Sequence, residues 1–409
     1  MRILIVTPYY TPDLGPSAPM FKLLATELLL LGHKVTVISM VPHYPSGRVL
    51  PGYNGIRIKY SSEEGVEVVR IPIPSMAREN FIKRMLQFGM YQIGATLAAL
   101  TRDFDAVIIS NPFFCSLLPF FWQAVIRRKP TIYSVYDVYP EVGIKLGIFR
   151  NELIIKIITS LERFCLLHAT LVQVLSSTFK PTLISMGVAD SKIVEIIPWV
   201  DTELICPMPH DNAFAEEYGL TDRFVVLYAG NIGLSQGLEH ILTTAERLVN
   251  HPDIRFVFVG DGSGMQVLQS QVEQQQLVNV QFIPFQPREN LPQVLASADI
   301  QIVSLRQGIG SASLPSKVFS SMASGRPILA SVDEESETWT LIQKAEAGVW
   351  VPPEDPSKLT EAILFLKQDR ALRERLGQNG RMWVEKNHTP LHAAEQFEKY
   401  LLEAIRMHA

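Results

Sequence analysis

Gly310 to Ala330 reads Gly-Ser-Ala-Ser-Leu-Pro-Ser-Lys-Val-Phe-Ser-Ser-Met-Ala-Ser-Gly-Arg-Pro-Ile-Leu-Ala, a run of small and hydroxyl-bearing residues suited to holding a phosphate. It follows one apolar run at 300–304 and enters another at 328–331, which gives strand, loop, helix, tight exit, strand. A helix starting near Ser316 turns unpaired amides and the positive end of its dipole toward that loop, and a nucleoside diphosphate fits there. Ser313, Leu314, Pro315 and Ser316 would line it. Ser320 and Ser321 occupy the helix face expected to meet the ligand, and no carboxylate stands there.

A second glycine loop, Gly230-Asn231-Ile232-Gly233-Leu234-Ser235-Gln236-Gly237, also joins a strand to a helix, where backbone can approach a pyrophosphate closely. The cluster at 259–264 either turns the chain near the nucleotide or is a plain turn. Ile283-Pro284-Phe285-Gln286-Pro287 ends a strand; its backbone would read a base edge with Phe285 on the base face, or it is a simple strand exit. In the first half, Asp13 and Gly15 sit between the first strand and first helix. Gly15 would admit a phosphate or sugar, and Asp13 would bond sugar hydroxyls or serve as a turn residue. Tyr136, Asp137, Tyr139 and Glu141 follow another strand. Two acids four residues apart beside tyrosines suit hydroxyl recognition or general-base work, and loop solvation is the alternative.

The elements that must carry these loops alternate. Strands are predicted at 2–7, 34–39, 66–71, 106–110, 131–135, 171–174 and 192–197. The pattern restarts after Pro198 with strands at 224–229, 255–259, 280–283, 300–304, 328–331 and 348–351. Near-continuous apolar strands separated by helices mean parallel sheets covered on both faces, an α/β class with two Rossmann-like, doubly wound domains and a cleft between their strand ends. Residues 1–200 form the first domain, 201–385 the second, and a helix at 386–409 is expected to return to the first. With 47% apolar and 19% charged residues, the chain is globular, not disordered.

Charge is uneven: residues 1–200 carry 20 Lys+Arg against 14 Asp+Glu, and residues 201–409 carry 17 against 27. The basic half is placed to face an anionic surface such as phospholipid, or reflects surface drift. No basic run is interleaved with aromatics, so nucleic acid is not expected. Cys115, Cys165 and Cys206 are far apart and read as buried thiols in a reducing cytoplasm. Met1 to Thr7 enters a strand without a charged leader, so no signal peptide is expected. Helices at 81–100 and 152–167 are apolar almost all round, which means deep burial or contact with a membrane surface.

Together these residues resemble a family, the retaining nucleotide-sugar glycosyltransferases of the GT-B fold, glycosyltransferase family 4. The resemblance runs through Ile5-Val6-Thr7-Pro8-Tyr9-Tyr10-Thr11-Pro12-Asp13, Gly32-His33-Lys34-Val35, Ile197-Pro198-Trp199-Val200-Asp201, Tyr228-Ala229-Gly230-Asn231, Val259-Gly260-Asp261-Gly262 and Met322-Ala323-Ser324-Gly325-Arg326-Pro327. Pro-Asp-Leu-Gly, Tyr-Asp-Val-Tyr-Pro-Glu and Leu-Pro-Ser-Lys look most like the branch that builds colanic acid, O-antigen and related surface polysaccharides. The resemblance implies hexosyl transfer from a UDP- or GDP-sugar to a lipid-linked or saccharide acceptor, with no cofactor and no essential metal, at the cytoplasmic face of the inner membrane. The donor would sit in the second domain, at Gly230, Asn231, Gly233, Gln236, Phe285, Gln286, residues 313–316 and Ser320, with Gly15 of the first domain also meeting it. The acceptor would meet Asp13, Tyr136 and Tyr139 in the first.

The chain departs from the family pattern in three places. Two acids eight apart around the donor helix correspond to Ala312 and Ser320, an arginine and lysine at the phosphates to Asn231 and Gln236, and a histidine before the N-terminal aspartate to Tyr136. Lys317 is the nearest residue to restore positive charge, with Arg306 second. Asp137, Glu141 and Lys317 are the expected catalytic groups. The rival readings are a nucleotide-sugar 2-epimerase on the same fold and a non-catalytic nucleotide- or lipid-binding partner of an assembly complex.

Overall fold

The computed structural model of the protein describes all residues except 16, 45, 77–80, 101, 146–150, 311–313 and 409. It contains two compact units, Met1–Ile197 with Pro390–Ala409, and Pro198–Thr389.

The first unit is built from β1 (Arg2–Val6), α1 (Ala18–Leu30), β2 (Lys34–Met40), β3 (Lys59–Glu63), β4 (Val66–Ile71), α2 (Phe81–Leu100), β5 (Ala106–Ser110), α3 (Phe113–Phe120), β6 (Thr131–Val135), α4 (Glu141–Lys145), α5 (Glu152–His168), β7 (Leu171–Val174), α6 (Lys180–Ser185) and β8 (Ile193–Glu195). Its sheet order is β3-β4-β2-β1-β5-β6-β7-β8. Every pairing except β3·β4 is parallel. The central strands are apolar on both sides because helices cover both faces, and β5 and β6 are buried along their whole length. Sequence periodicity missed β3. It is a polar, mostly exposed edge strand, joined to β4 by Glu64 and Gly65 with φ of 51° and 89°. Two consecutive positive φ values make the tight hairpin turn whose twist matches its strands.

The second unit runs through α7 (Ala213–Glu217), β9 (Phe224–Ala229), α8 (Glu239–Arg247), β10 (Ile254–Val259), α9 (Met265–Gln275), β11 (Val280–Ile283), α10 (Leu291–Ala296), β12 (Ile300–Ser304), α11 (Lys317–Ala323), β13 (Ile328–Ser331), α12 (Glu337–Lys344), β14 (Gly348–Val351), α13 (Pro356–Gln368) and α14 (Arg370–Asn387). Its sheet is parallel throughout, in the order β11-β10-β9-β12-β13-β14. The final helix, α15 (Pro390–His408), packs on α1 and belongs to the first unit.

Strand order reverses direction at β1/β5 in one sheet and β9/β12 in the other. Loops leaving neighbouring strands at such a reversal splay to opposite faces and open a crevice at the carboxyl edge. The loops after β9 and β12 are the two glycine segments of the second half, so topology alone makes them neighbours.

Candidate functional site

In the second unit the site is organised around one amine. Lys317 is the first residue of α11, and its Nζ stands 3.6 Å from the centroid of the Tyr228 ring on β9. That nitrogen is buried and has no hydrogen-bond partner among the described residues. Burial pushes its pKa down from 10.5 to about 7, since no carboxylate offsets the loss of water. A Cβ on Gly230, where φ is 137°, would lie 3.5 Å from both Lys317 Cε and Nζ. That is ordinary van der Waals contact, so the glycine is called for by its backbone angle, and it leaves the flank of the amine without a side chain. The Tyr228 hydroxyl donates to the Asn231 carbonyl at 2.7 Å, which fixes the ring beneath the cation.

The expected cradle of backbone amides is largely spent within the protein, which corrects several readings. Gly230 N–H donates to Val259 O, Ile232 N–H to Asp261 O, and Gly233 N–H to Gln236 Oε1. Gln236 thus braces its own loop, and its carbonyl also accepts from Ser304 Oγ. At α11, Val318 and Phe319 N–H bond to Pro315 O and Ser316 O, so a short first turn consumes amides expected to be free. Leu314 is buried and contributes packing, while Pro315 has no N–H to give. Ser320 Oγ turns back to Lys317 O at 3.0 Å. Ser316 is exposed with an unengaged capping side chain, and Asn231 is exposed. Ser313 lies outside the described residues. Phe285 is 54% exposed past β11, where a base could stack, and Gln286 Nε2 donates to Pro284 O. Arg306 is not available as a second cation: it pairs with Glu239 at 2.7 Å and Glu354 at 3.7 Å.

The glycines at 260 and 262 have a steric cause. A Cβ on Gly260 would stand 2.0 Å from Gly230 O, and one on Gly262 2.3 Å from Ile232 O. The loops after β9 and β10 lie backbone against backbone. Asp333 was missed by sequence reasoning. It accepts from Gly308 N–H and Gly310 N–H and so closes the loop after β12.

In the first unit, Tyr136, Asp137 and Tyr139 follow β6, and Glu141 opens α4. Burial pushes the Asp137 carboxyl up to about 6, a value suited to taking a proton near neutrality. Glu141 is engaged by Thr182 Oγ1 at 3.2 Å. The Tyr136 ring meets Phe21 edge-on, the Tyr139 ring meets Phe114 edge-on, and burial raises both phenols above their ordinary range. Two expectations fail in the preceding loop. Asp13 is 2% exposed, and its two oxygens take Gly15 N–H and His43 N–H, each at 2.9 Å. It holds the loop together and presents nothing to a sugar. A Cβ on Gly15 would overlap the Tyr9 ring at 2.3 Å, so that glycine admits an aromatic ring and its amide is already bonded.

Three further residues went unnoticed because only register brings them together. Ser110, Ser134 and Gln173 are aligned on β5, β6 and β7, each at most 2% exposed. Ser110 Oγ, Ser134 Oγ and Gln173 Oε1 have no partner among the described residues. They form a polar row at the carboxyl edge of the sheet, under the loop that carries Asp137.

Two doubly wound parallel-sheet units in one chain, each with its functional loops at the strand ends, define the GT-B class of transferase. Residues 20–204 match the family described as Glycosyltransferase Family 4, and residues 211–383 match Glycosyl transferases group 1. The chain belongs to the GT-B glycosyltransferases, with a family 4 first part and a group 1 second part. It is 28% identical over 397 residues to WcaI of Escherichia coli (strain K12), a glycosyl transferase named for colanic acid biosynthesis, covering 91% of this chain and 95% of that one. Its fold is similar to sucrose-phosphate synthase from Thermosynechococcus elongatus, with a TM-score of 0.78, 16% identity and 100% of both chains covered. It is also similar to Anabaena HepE in complex with UDP, with a TM-score of 0.73, 14% identity and coverage of 98% and 100%.

Proposed function

We propose that this enzyme transfers a sugar from a UDP- or GDP-sugar to a lipid-linked saccharide acceptor during surface polysaccharide assembly, with retention at the anomeric carbon and without an essential metal. The observation that carries the reading is the buried amine of Lys317 beside bare Gly230, without a hydrogen-bond partner among the described residues. As the glycosidic bond breaks, the departing diphosphate gains negative charge. A fixed cation in a water-poor setting stabilises that charge more in the transition state than in the ground state. Asp137, at about 6, takes the proton of the attacking hydroxyl, with Glu141 beside it on α4. Retention follows from front-face attack, in which the leaving diphosphate and the incoming hydroxyl share one side of the sugar. The relative named for colanic acid biosynthesis supports the polysaccharide setting, and the UDP complex of HepE supports the donor class.

The acceptor's lipid is suggested by an apolar surface in the first unit. On α2, Leu86, Met90, Ile93 and Leu97 recur at helical spacing, each at least 45% exposed. Leu153, Ile154 and Ile157 on α5 are at least 50% exposed, with exposed Lys156 among them. α3 packs against both helices. No helix among the described residues is long and apolar enough to cross a membrane. An exposed apolar face with basic residues and no acid on α2 suits the surface of an anionic bilayer.

The reading is tested with a thermal-shift panel of UDP, GDP, ADP and their sugar conjugates. A nucleotide present at a hundred times its Kd stabilises the folded state by about 2.7 kcal/mol. A rise with UDP or GDP, followed by transfer to a lipid-linked acceptor, is the expected result. No shift with any of them removes the donor assignment.

A further inference from the structure

The loop that carries Asp137 is clamped by a residue outside the reaction scheme. Asn111 directly follows β5 and is 5% exposed. Its Oδ1 accepts from Tyr136 N–H at 2.9 Å, and its Nδ2 donates to the Asp137 carbonyl at 2.6 Å. One side chain therefore holds both backbone groups at the start of the loop. Behind it lies Glu162 on α5, 1% exposed, with Oε1 3.5 Å from Asn111 Nδ2. Glu162 also accepts from Phe113 N–H at 3.0 Å and from the Tyr133 hydroxyl at 3.2 Å.

A carboxyl buried this deeply without a cation is unfavourable, and burial pushes Glu162 up to about 7. An apolar residue would avoid that cost and leave the Phe113 N–H and the Tyr133 hydroxyl without this acceptor. What Glu162 adds is direction: a fixed acceptor that orients the Asn111 amide toward the Asp137 carbonyl and holds α5 to the end of β5.

We propose that Asn111, oriented by Glu162, is a positioning residue that fixes the loop after β6 and holds the Asp137 carboxyl in its half-buried setting. The inference rests on the reading of Asp137 as the group that takes the acceptor's proton. Asp137 is raised by burial alone, with no charged neighbour responsible. The titratable groups nearest this loop are Tyr136, Tyr139 and Glu141 on the loop and α4, Tyr133 on β6, Cys115 on α3, Glu162 on α5 and Arg84 on α2. Loss of the clamp admits water and returns Asp137 toward the ordinary aspartate value of about 4.

The experiment follows the Asp137 carboxyl directly. The full chain, labelled with aspartate carrying ¹³C at Cγ, is titrated by NMR, with Asp137→Asn assigning the resonance. The wild-type midpoint is expected near 6. Asn111→Ala is expected to lower it by about one to two pH units; Asn111→Ser gives the same result if the alanine variant folds poorly. Tyr133→Phe removes a bond to Glu162 but none to Asn111, so it should lower Tm and leave the midpoint in place. A wild-type midpoint in the ordinary range, or one that neither Asn111 variant moves, overturns the proposal. An active Asp137→Asn enzyme whose wild-type counterpart shows the clamp-dependent midpoint overturns the proton-acceptor reading instead, so the two failures are distinguishable.

Discussion

Replacing Lys317 by methionine should stabilise the free enzyme and weaken its grip on the nucleotide. The amine is buried over Tyr228 without a hydrogen-bond partner among the described residues, and its pKa falls from 10.5 to about 7. The unfolded lysine titrates near 10.5 and the folded one near 7, so between those values the unfolded chain holds the extra proton. By linkage, stability then rises with pH across that window and is lowest at and below about pH 7. At about 1.4 kcal/mol per pH unit the full penalty is about 5 kcal/mol, an upper bound that the attraction between ammonium and ring reduces by about 1–2 kcal/mol. Methionine has the length to fill the space, so a gain of about 2 kcal/mol below pH 7 is a reasonable target. For a unit of this size that is about 4–8 °C in Tm. Binding should change in the opposite sense. Loss of a charge-assisted bond to a diphosphate costs about 1.5–3 kcal/mol, or about 10- to 150-fold in Kd for UDP or GDP. Differential scanning fluorimetry from pH 6 to 10, with and without nucleotide, reads both effects. If Lys317→Met leaves the Tm, its pH slope and the nucleotide shift unchanged, the amine is neither strained nor a ligand group, and the reasoning fails.

Gly260→Ala should destabilise the second unit by at least about 2 kcal/mol in a urea melt, because φ is 146° there and a Cβ would stand 2.0 Å from Gly230 O; wild-type stability would show that the two loops can separate freely. Phe285→Ala should weaken nucleotide binding by about 1–3 kcal/mol if the 54% exposed ring stacks on a base, measured by calorimetry, with Tm unchanged. Ile93→Glu with Leu97→Glu places two acids on the exposed stripe of α2 and should abolish flotation with vesicles containing anionic phosphatidylglycerol while leaving Tm within about 2 °C; unchanged flotation would reject that surface.

The strands were legible because parallel sheets covered on both faces demand continuous apolar runs. Val66–Ile71, Ile300–Ser304 and Gly348–Val351 can be marked residue by residue on that ground. β3 was not legible, since an edge strand that faces water needs no apolar pattern and its Ser61-Ser62 pair reads as loop. Register is a further property that composition does not encode. The row Ser110, Ser134, Gln173 exists only once β5, β6 and β7 are placed side by side. Glu162 is similarly hidden: an acid in an amphipathic helix looks solvent-facing until its neighbours close over it.

Asp13, Gly15, Gly230 and Gln236 were chosen for the types of group they carry, and each spends that group on the protein itself. Short polar side chains in strand-to-helix loops readily bond the nearest backbone, so residue type in such a loop is weak evidence of a ligand until those local bonds are counted. Lys317 survives the same count. Its amine has no hydrogen-bond partner among the described residues, Arg306 is already paired with two glutamates, and Ser320 returns its hydroxyl to the helix. An uncompensated buried cation is costly to maintain, and a loop brace would not require one. Without a ligand the amine relieves that cost by giving up its proton near pH 7, and a bound diphosphate would hold the proton on, so the proposed function rests on this lysine more than on the glycines of the two loops.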